Sequence, residues 1–171
     1  MVLEVIRKRR SIRKYSKKKI PSKIIEEIIK AGQFAPCGRN SKEWEFVVVK
    51  DKKLLDKLSR FKGHAAGFIA DANACIVVMG DKKKNDLWVE NCVLAAGYMF
   101  LQAEALGIST CWINVHQTNQ NPNAERDVKK LLKVPDRFGV LCILPLGYPI
   151  EKLPPHSDKD FDKSKIHYNK F

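Results

Sequence analysis

Apolar positions along the chain fall into blocks whose spacing switches between helical and extended. Ile24, Ile25, Ile28 and Ile29 recur at three- and four-residue intervals after Pro21-Ser22. This predicts a helix with one isoleucine face, Ser22 as its N-cap and Gly32 near its end. Leu87 to Leu106 is the longest helical pattern, about five turns at 3.6 residues each, and Gly107 supplies its stop. Its Ala95-Ala96-Gly97 patch is narrow enough to admit another helix closely. Shorter helices are predicted over residues 2–10, with Val2, Leu3 and Ile6 on one side, around Leu54, Leu55 and Leu58, and from Glu125 to Leu132. Trp44–Val49, Ala74–Met79, Thr110–Val115 and Val140–Leu146 are rich in β-branched and aromatic residues and read as strands; the second and the last are apolar enough to be buried on both faces. Helices and strands alternate, which predicts an α+β or α/β layered domain with mixed strand directions.

Between these blocks lie the turn formers. Ala35-Pro36-Cys37-Gly38-Arg39-Asn40-Ser41 separates a helix from a strand, with Pro36 and Gly38 breaking regular structure and Asn40 and Ser41 able to bond backbone or ligand. Gly63-His64-Ala65-Ala66-Gly67-Phe68 reads as a small-residue loop. From Lys152 onward the chain is polar, carries Pro154-Pro155 and lacks either period, so it needs something to dock on, a second subunit being one candidate. There is no repeat and no linker, and residues 1–171 are expected to form a single domain.

Charge adds one question. The chain carries 32 Lys and Arg against 19 Asp and Glu, a formal net charge of +13, which raises nucleic acid or an anionic cofactor as partner. Much of the excess sits in Lys17-Lys18-Lys19, Lys52-Lys53 and Lys82-Lys83-Lys84, turn-like runs without interleaved aromatics. They read as solvated surface, so a nucleic-acid-binding module is the weaker alternative. The apolar start Met1–Ile6 is too short for a signal peptide, and Glu90, Asn91, Gln102 and Glu104 argue against a membrane span in the longest greasy stretch. The five cysteines are scattered and free of C-x-x-C pairs, so no metal site is expected and the chain reads as cytoplasmic.

The chemistry concentrates in Arg9-Arg10-Ser11-Ile12-Arg13. Run extended, this segment puts Arg9, Ser11 and Arg13 on one face and Arg10 on the other. Two guanidinium forks and a hydroxyl on one face suit a phosphate; a solvated basic turn is the alternative. No Ser/His/Asp set, paired carboxylates or metal cluster accompanies it. Cys111 lies in an apolar strand without an adjacent base and is expected to pack rather than react. Trp44 and Trp112 are expected in the core, and His64, His116 and His156 on surface or loops. Asn91 is expected to pair with backbone or across a dimer interface.

Four stretches in order make the chain resemble the FMN-dependent nitroreductase family. They are Arg9-Arg10-Ser11-x-Arg13, Ala35-Pro36-Cys37-Gly38-Arg39-Asn40-Ser41-x-x-Trp44, Leu106-Gly107-Ile108-Ser109-Thr110-Cys111-Trp112, and Leu146-Gly147-Tyr148-Pro149; the C-terminal Ile166-His167-Tyr168-Asn169 is a weaker fifth. The resemblance implies an α+β fold with a mixed, mainly antiparallel sheet flanked by helices, in an intertwined homodimer with residues 152–171 as an arm docking on the partner. It implies FMN, with Arg9, Ser11 and Arg13 at phosphate, ribityl chain and pyrimidine edge, and Arg10 adjacent. It further implies that Pro36, Cys37, Gly38 and Asn40 reach the flavin from the other subunit and that Thr110 and Cys111 lie against the ring. Gly147 would form the turn after the last strand, and Lys163 or Lys165 would bring a further cation.

The flavin would then carry the electron chemistry, with NADH or NADPH as reductant and a nitroaromatic, quinone or similar small molecule as acceptor. Other chemistry on the same fold, such as dehalogenation or flavin destruction, and a flavin-binding protein without turnover are the alternatives. Two departures stand out. Lys42-Glu43 replaces the family's usual Gln-Pro, and Cys37 replaces a serine. The short chain also implies an open pocket.

Overall fold

The computed structural model describes residues 1–171. In chain order it contains α1 (Val2–Lys8), α2 (Ser22–Gln33), β1 (Trp44–Val49), α3 (Lys52–Leu58), β2 (Ala74–Asp81), α4 (Trp88–Ala105), β3 (Ser109–Thr110), β4 (Ile113–Asn114), α5 (Ala124–Leu132) and β5 (Phe138–Gly147). Short 3-10 turns occupy Gly38–Asn40, Gly63–Asp71, Asp158–Asp160 and Lys163–Lys165. The sheet runs β1-β2-β5-β3, with β4 also on β5, and every ladder is antiparallel.

Period-two alternation along β2 explains why helices cover both faces. Ala74, Ile76 and Val78 point into a core shared with α2 and α4, whereas Cys75, Val77 and Met79 point into a second core shared with α3, the Gly63–Asp71 turn and α5. All ten residues of β5 are buried, the mark of a central strand covered on both sides. No helix is long and apolar enough to cross a membrane, and the three lysine runs are exposed.

Three local expectations are corrected by the structure. Ser22 does not cap α2; it is the first helical residue, Pro21 takes the cap position, and the Ser22 hydroxyl accepts from Lys50 Nζ at 2.9 Å. Gly32 lies near the end of α2, as expected, and a Cβ there would stand 2.9 Å from Met99 Cγ of α4, so it also sets how closely the two helices approach. The Gly63 region is a 3-10 turn of nine residues rather than an open loop. The strand expected over 110–115 is broken at Cys111-Trp112, where the register puts Cys111 opposite Pro145, a residue with no N–H to offer the ladder.

α1 and α4 carry apolar surface outward. Val2, Leu3 and Ile6 of α1 are all exposed, and so are Val93, Leu94 and Tyr98 of α4. Of the small-residue patch, Ala95 and Ala96 are buried within the chain, while Gly97 has open space where a side chain would stand.

Candidate functional site

After α1 ends at Lys8, Arg9 turns into extended backbone (φ −60°, ψ 120°), and the chain runs along the open edge of β3. Ser11 forms a parallel bridge with Thr110, and the Ile12 N–H donates to the Thr110 carbonyl at 3.2 Å. Tyr15 bridges Pro149, and the Ser16 N–H donates to the Tyr148 carbonyl at 2.8 Å. Buried Ile12 and Tyr15 anchor the segment in a small core with Ala72. Burial pushes the Tyr15 phenol well above its usual range, so it remains a neutral donor to the Ile12 carbonyl at 2.7 Å.

With Ile12 pointing inward, the alternate residues gather at Cys111. Burial raises that thiol, and the opposing influences identify its neighbours: the Arg13 charge, a hydrogen bond with the Ser11 side chain, and the Arg9 charge. Cys111 is therefore a protonated packing thiol. The Arg9 guanidinium lies 5.7 Å from the Phe100 ring centre and Arg13 lies 5.8 Å from that of Phe68, at cation–π range. Arg7, Arg39, Arg60, Arg126 and Arg137 all form ion pairs. Arg9 and Arg13 form none, and the buried Thr110 hydroxyl beside them has no hydrogen-bond partner.

Arg10 goes elsewhere. It donates to the Pro154 carbonyl, on the opposite side of the strand, where Arg7 also pairs with Asp158 and the His156 N–H donates to the Arg7 carbonyl at 2.8 Å. Arg10 thus ties down the start of the C-terminal segment. Lys163 and Lys165 are exposed, and the hydrogen bonds of their turn are local, so within one chain they do not join Arg9. Gly147 is the buried last residue of β5 rather than a turn; a Cβ there would stand 2.4 Å from Tyr15 Cγ, so packing of Tyr15 accounts for the glycine without a ligand.

The second stretch, Pro36 to Asn40, sits against the start of α4. Asn91 Oδ1 accepts from the Gly38 N–H at 2.8 Å, and Asn85 Nδ2 donates to the Gly38 carbonyl at 3.1 Å. Pro36 and Asn40 are exposed, while Cys37 and Gly38 are half-buried. Arg9 is at the other end of α4, beside Phe100. Asn91 and Phe100 are nine positions apart, about 14 Å along the axis at 1.5 Å per residue. One chain therefore keeps the two stretches apart.

Asn85 and Glu43 are both buried; the sequence marks Glu43 only as part of the Lys42-Glu43 departure and gives no sign of Asn85, although a carboxylate at the mouth of an otherwise apolar strand is a usable signal. Asn91 takes the backbone option. His116 lies in the turn between β4 and α5, as expected of a loop residue, and is half-buried there, its ring edge-on to Trp88 at 4.9 Å and its Nδ1 3.3 Å from Glu125. Trp44 is core, and Trp112 is half-buried with Nε1 donating to Asn114 at 3.4 Å. No group of His, Cys, Asp and Glu side chains could hold a metal ion.

An antiparallel sheet covered on both faces by helices, with the arginine–serine segment along its edge, defines a small α+β protein. The Nitroreductase family model matches residues 6–66 and 59–148, and the chain belongs to that family. It is 36% identical over 174 residues to a relative in Archaeoglobus fulgidus that carries the provisional name NADH dehydrogenase/NAD(P)H nitroreductase, covering 99% of this chain and 98% of the relative. The solved structure of an FMN-dependent nitroreductase from Clostridium difficile R20291 superposes with a TM-score of 0.95 at 38% identity, covering 99% of both chains. An iodotyrosine deiodinase bound to FMN and 3-iodo-L-tyrosine superposes with a TM-score of 0.82 at 25% identity over 100% of both chains.

Proposed function

We propose that the protein is an FMN-dependent NAD(P)H oxidoreductase that works as a homodimer. The observation that carries this reading is the cluster of Arg9, Ser11, Arg13 and Thr110 around Cys111, in which neither guanidinium group forms an ion pair and the buried Thr110 hydroxyl has no hydrogen-bond partner. A phosphate-bearing polar ligand fits that donor set: the guanidinium groups offer charge-assisted hydrogen bonds to phosphate, and the hydroxyls complete the pairing. The FMN named for the two solved relatives has this chemistry.

In this reading Arg9, Ser11 and Arg13 hold FMN, Thr110 and Cys111 line its ring, and Pro36, Cys37, Gly38 and Asn40 come from the partner subunit. When bound, FMN takes hydride from NADH or NADPH and passes electrons to a nitroaromatic, quinone or similar acceptor. The chain's own residues bind and orient. Arg13 supplies a fixed positive charge where negative charge develops, and the protonated Cys111 thiol adds bulk without a competing nucleophile.

A second copy gives purpose to surface that one chain leaves open. Val93, Leu94, Gly97 and Tyr98 on α4 and Val2, Leu3 and Ile6 on α1 form apolar faces suited to a matching helix, with Gly97 allowing close approach. Residues 152–171, exposed along their length and tied to their own chain at Pro154, His156 and Asp158, carry Phe161, Ile166, Tyr168 and Phe171 beyond that anchor; from there they would dock as an arm on that copy and bring Lys163 or Lys165 toward the phosphate. Uptake of FMN by flavin-free protein tests the reading. One FMN per chain is expected, and no uptake refutes it.

Reductive dehalogenation is the second reading, favoured by the full-length match to the iodotyrosine deiodinase. Iodide release from 3-iodo-L-tyrosine by dithionite-reduced protein separates the two.

A further inference from the structure

Arg39, Asn40 and Lys42 have φ values of 59°, 49° and 46°. Three non-glycine residues in the left-handed region within four positions form a segment that persists only where its surroundings hold it. Here the holding group is Glu43, a carboxylate only 2% exposed and paired with no cation. Its Oε1 accepts from Asn91 Nδ2 at 2.6 Å, and its Oε2 accepts from the Ser41 hydroxyl. Asn91 is thereby turned so that its Oδ1 receives the Gly38 N–H, while Asn85 Nδ2 donates to Ser41 Oγ at 2.6 Å and to the Gly38 carbonyl. Both polar backbone atoms of Gly38 are thus clamped by side chains: the N–H by Asn91, turned by Glu43, and the carbonyl by Asn85, whose Oδ1 is held by the Leu87 N–H at 3.0 Å. A buried carboxylate is costly unless each oxygen is hydrogen-bonded, and this network meets that condition.

We propose that Glu43, acting through Asn91, is a positioning residue that fixes the Pro36–Asn40 loop in the shape it presents to the partner subunit's flavin. The loop's meeting with flavin rests on the function proposed above; the clamp on Gly38 does not. Glutamine can replace the glutamate without leaving an orphan. Its carbonyl accepts from Asn91, its amide donates to Ser41 Oγ, and the Ser41 hydroxyl, already 2.9 Å from the Gly38 carbonyl, turns fully toward it. Alanine leaves the Asn91 Nδ2 group without its acceptor and so removes what turns Asn91 toward Gly38.

The test compares wild type, Glu43→Gln and Glu43→Ala as full-length protein, reading amide hydrogen exchange at Gly38 and FMN affinity on titration. Glu43→Ala is expected to lose about tenfold or more in both, with the amides of Val77 and Ile143 in the sheet still protected, and Glu43→Gln is expected to behave as wild type. Asn91→Ser, which shortens the link to Gly38, replaces Glu43→Ala if that variant yields too little folded protein, with the same expectation. Unchanged Gly38 exchange in the alanine variant, unchanged FMN affinity despite a freed Gly38, equal loss of protection across the sheet, or failure of glutamine to rescue would each overturn the proposal. Wild-type protein that takes up no FMN sinks the functional reading instead, and Gly38 exchange still decides the clamp.

Discussion

Ser11 bridges Thr110 in parallel, and that single pairing carries the N-terminal arginine segment to the edge of a strand from the far half of the chain. Arg9 and Arg13 flank the bridge without ion pairs, and their removal costs the fold little. Arg9→Ala and Arg13→Ala are each expected to weaken FMN binding by about ten- to a hundredfold, at about 1.5–3 kcal/mol per charge-assisted hydrogen bond. Thermal midpoints should stay near wild type. Fluorescence titration of FMN with parallel melting curves checks this, and full affinity in the double variant would place the phosphate elsewhere.

Tyr15 covers Gly147 so closely that any side chain there displaces the ring. Gly147→Ala is expected to destabilise the fold by about 1–3 kcal/mol, lowering Tm by about 2–4 °C per kcal/mol in a chain of this size. The Tyr15 Cβ is itself 2.5 Å from that position, so the matching background is Tyr15→Gly, in which the same substitution should cost much less, because the contacting side chain is gone. A double-mutant cycle by calorimetry measures the difference, and an undiminished cost in the Tyr15→Gly background would mean that Gly147 serves something other than packing.

Buried thiols set an alkaline limit to stability, Cys111 among them and three others with larger shifts. Burial raises Cys75 and Cys92 from 9.0 to about 12, the charge of Glu43 adding to Cys92, and it also lifts Cys142 well above 9.0. Above pH 9 the unfolded chain releases these protons while the folded chain keeps them, so stability falls as pH rises from 9 toward 12. Each thiol contributes a slope of about 1.4 kcal/mol per pH unit within that window. Urea unfolding between pH 8 and 11 should show the decline, and Cys75→Ala should make it shallower although it lowers stability at pH 8. A flat profile would contradict the burial of these thiols.

Tyr98 stands 42% exposed beside Gly97 on the outer face of α4. Tyr98→Glu places a charge on the face assigned to the partner helix and is expected to yield monomers that bind FMN at least about tenfold more weakly, because each would lack the partner's Pro36–Asn40 loop. Light scattering coupled to flavin absorbance reads both at once. A yellow monomer would show that one chain suffices.

The sequence discloses what is local. Period-two alternation separates Arg9, Ser11 and Arg13 from Arg10, and the structure places them so; the isoleucine face of α2 and the buried runs of β2 and β5 follow from spacing in the same way. What escapes is set by partners far along the chain. Gly32 and Gly147 look like punctuation, yet Met99 and Tyr15 require them. The break at Cys111-Trp112 answers to Pro145 in the next strand. Glu43 looks like a stray charge until the fold brings Asn91 to it. The destination of Arg10 depends on a C-terminal segment with no period to read, and the chain's solitary apolar faces show themselves only once its own core is complete.

The central claim is that the electron chemistry belongs to an FMN held at Arg9, Ser11 and Arg13. Its most direct test is the visible absorption spectrum of purified, FMN-supplemented and desalted protein under anaerobic conditions, recorded before and after NADH or NADPH and again after a quinone. The account predicts a yellow protein that is bleached by the reduced nucleotide and regains its colour with the acceptor. Colourless protein that retains no FMN, or a bound flavin that neither nucleotide bleaches, would contradict it.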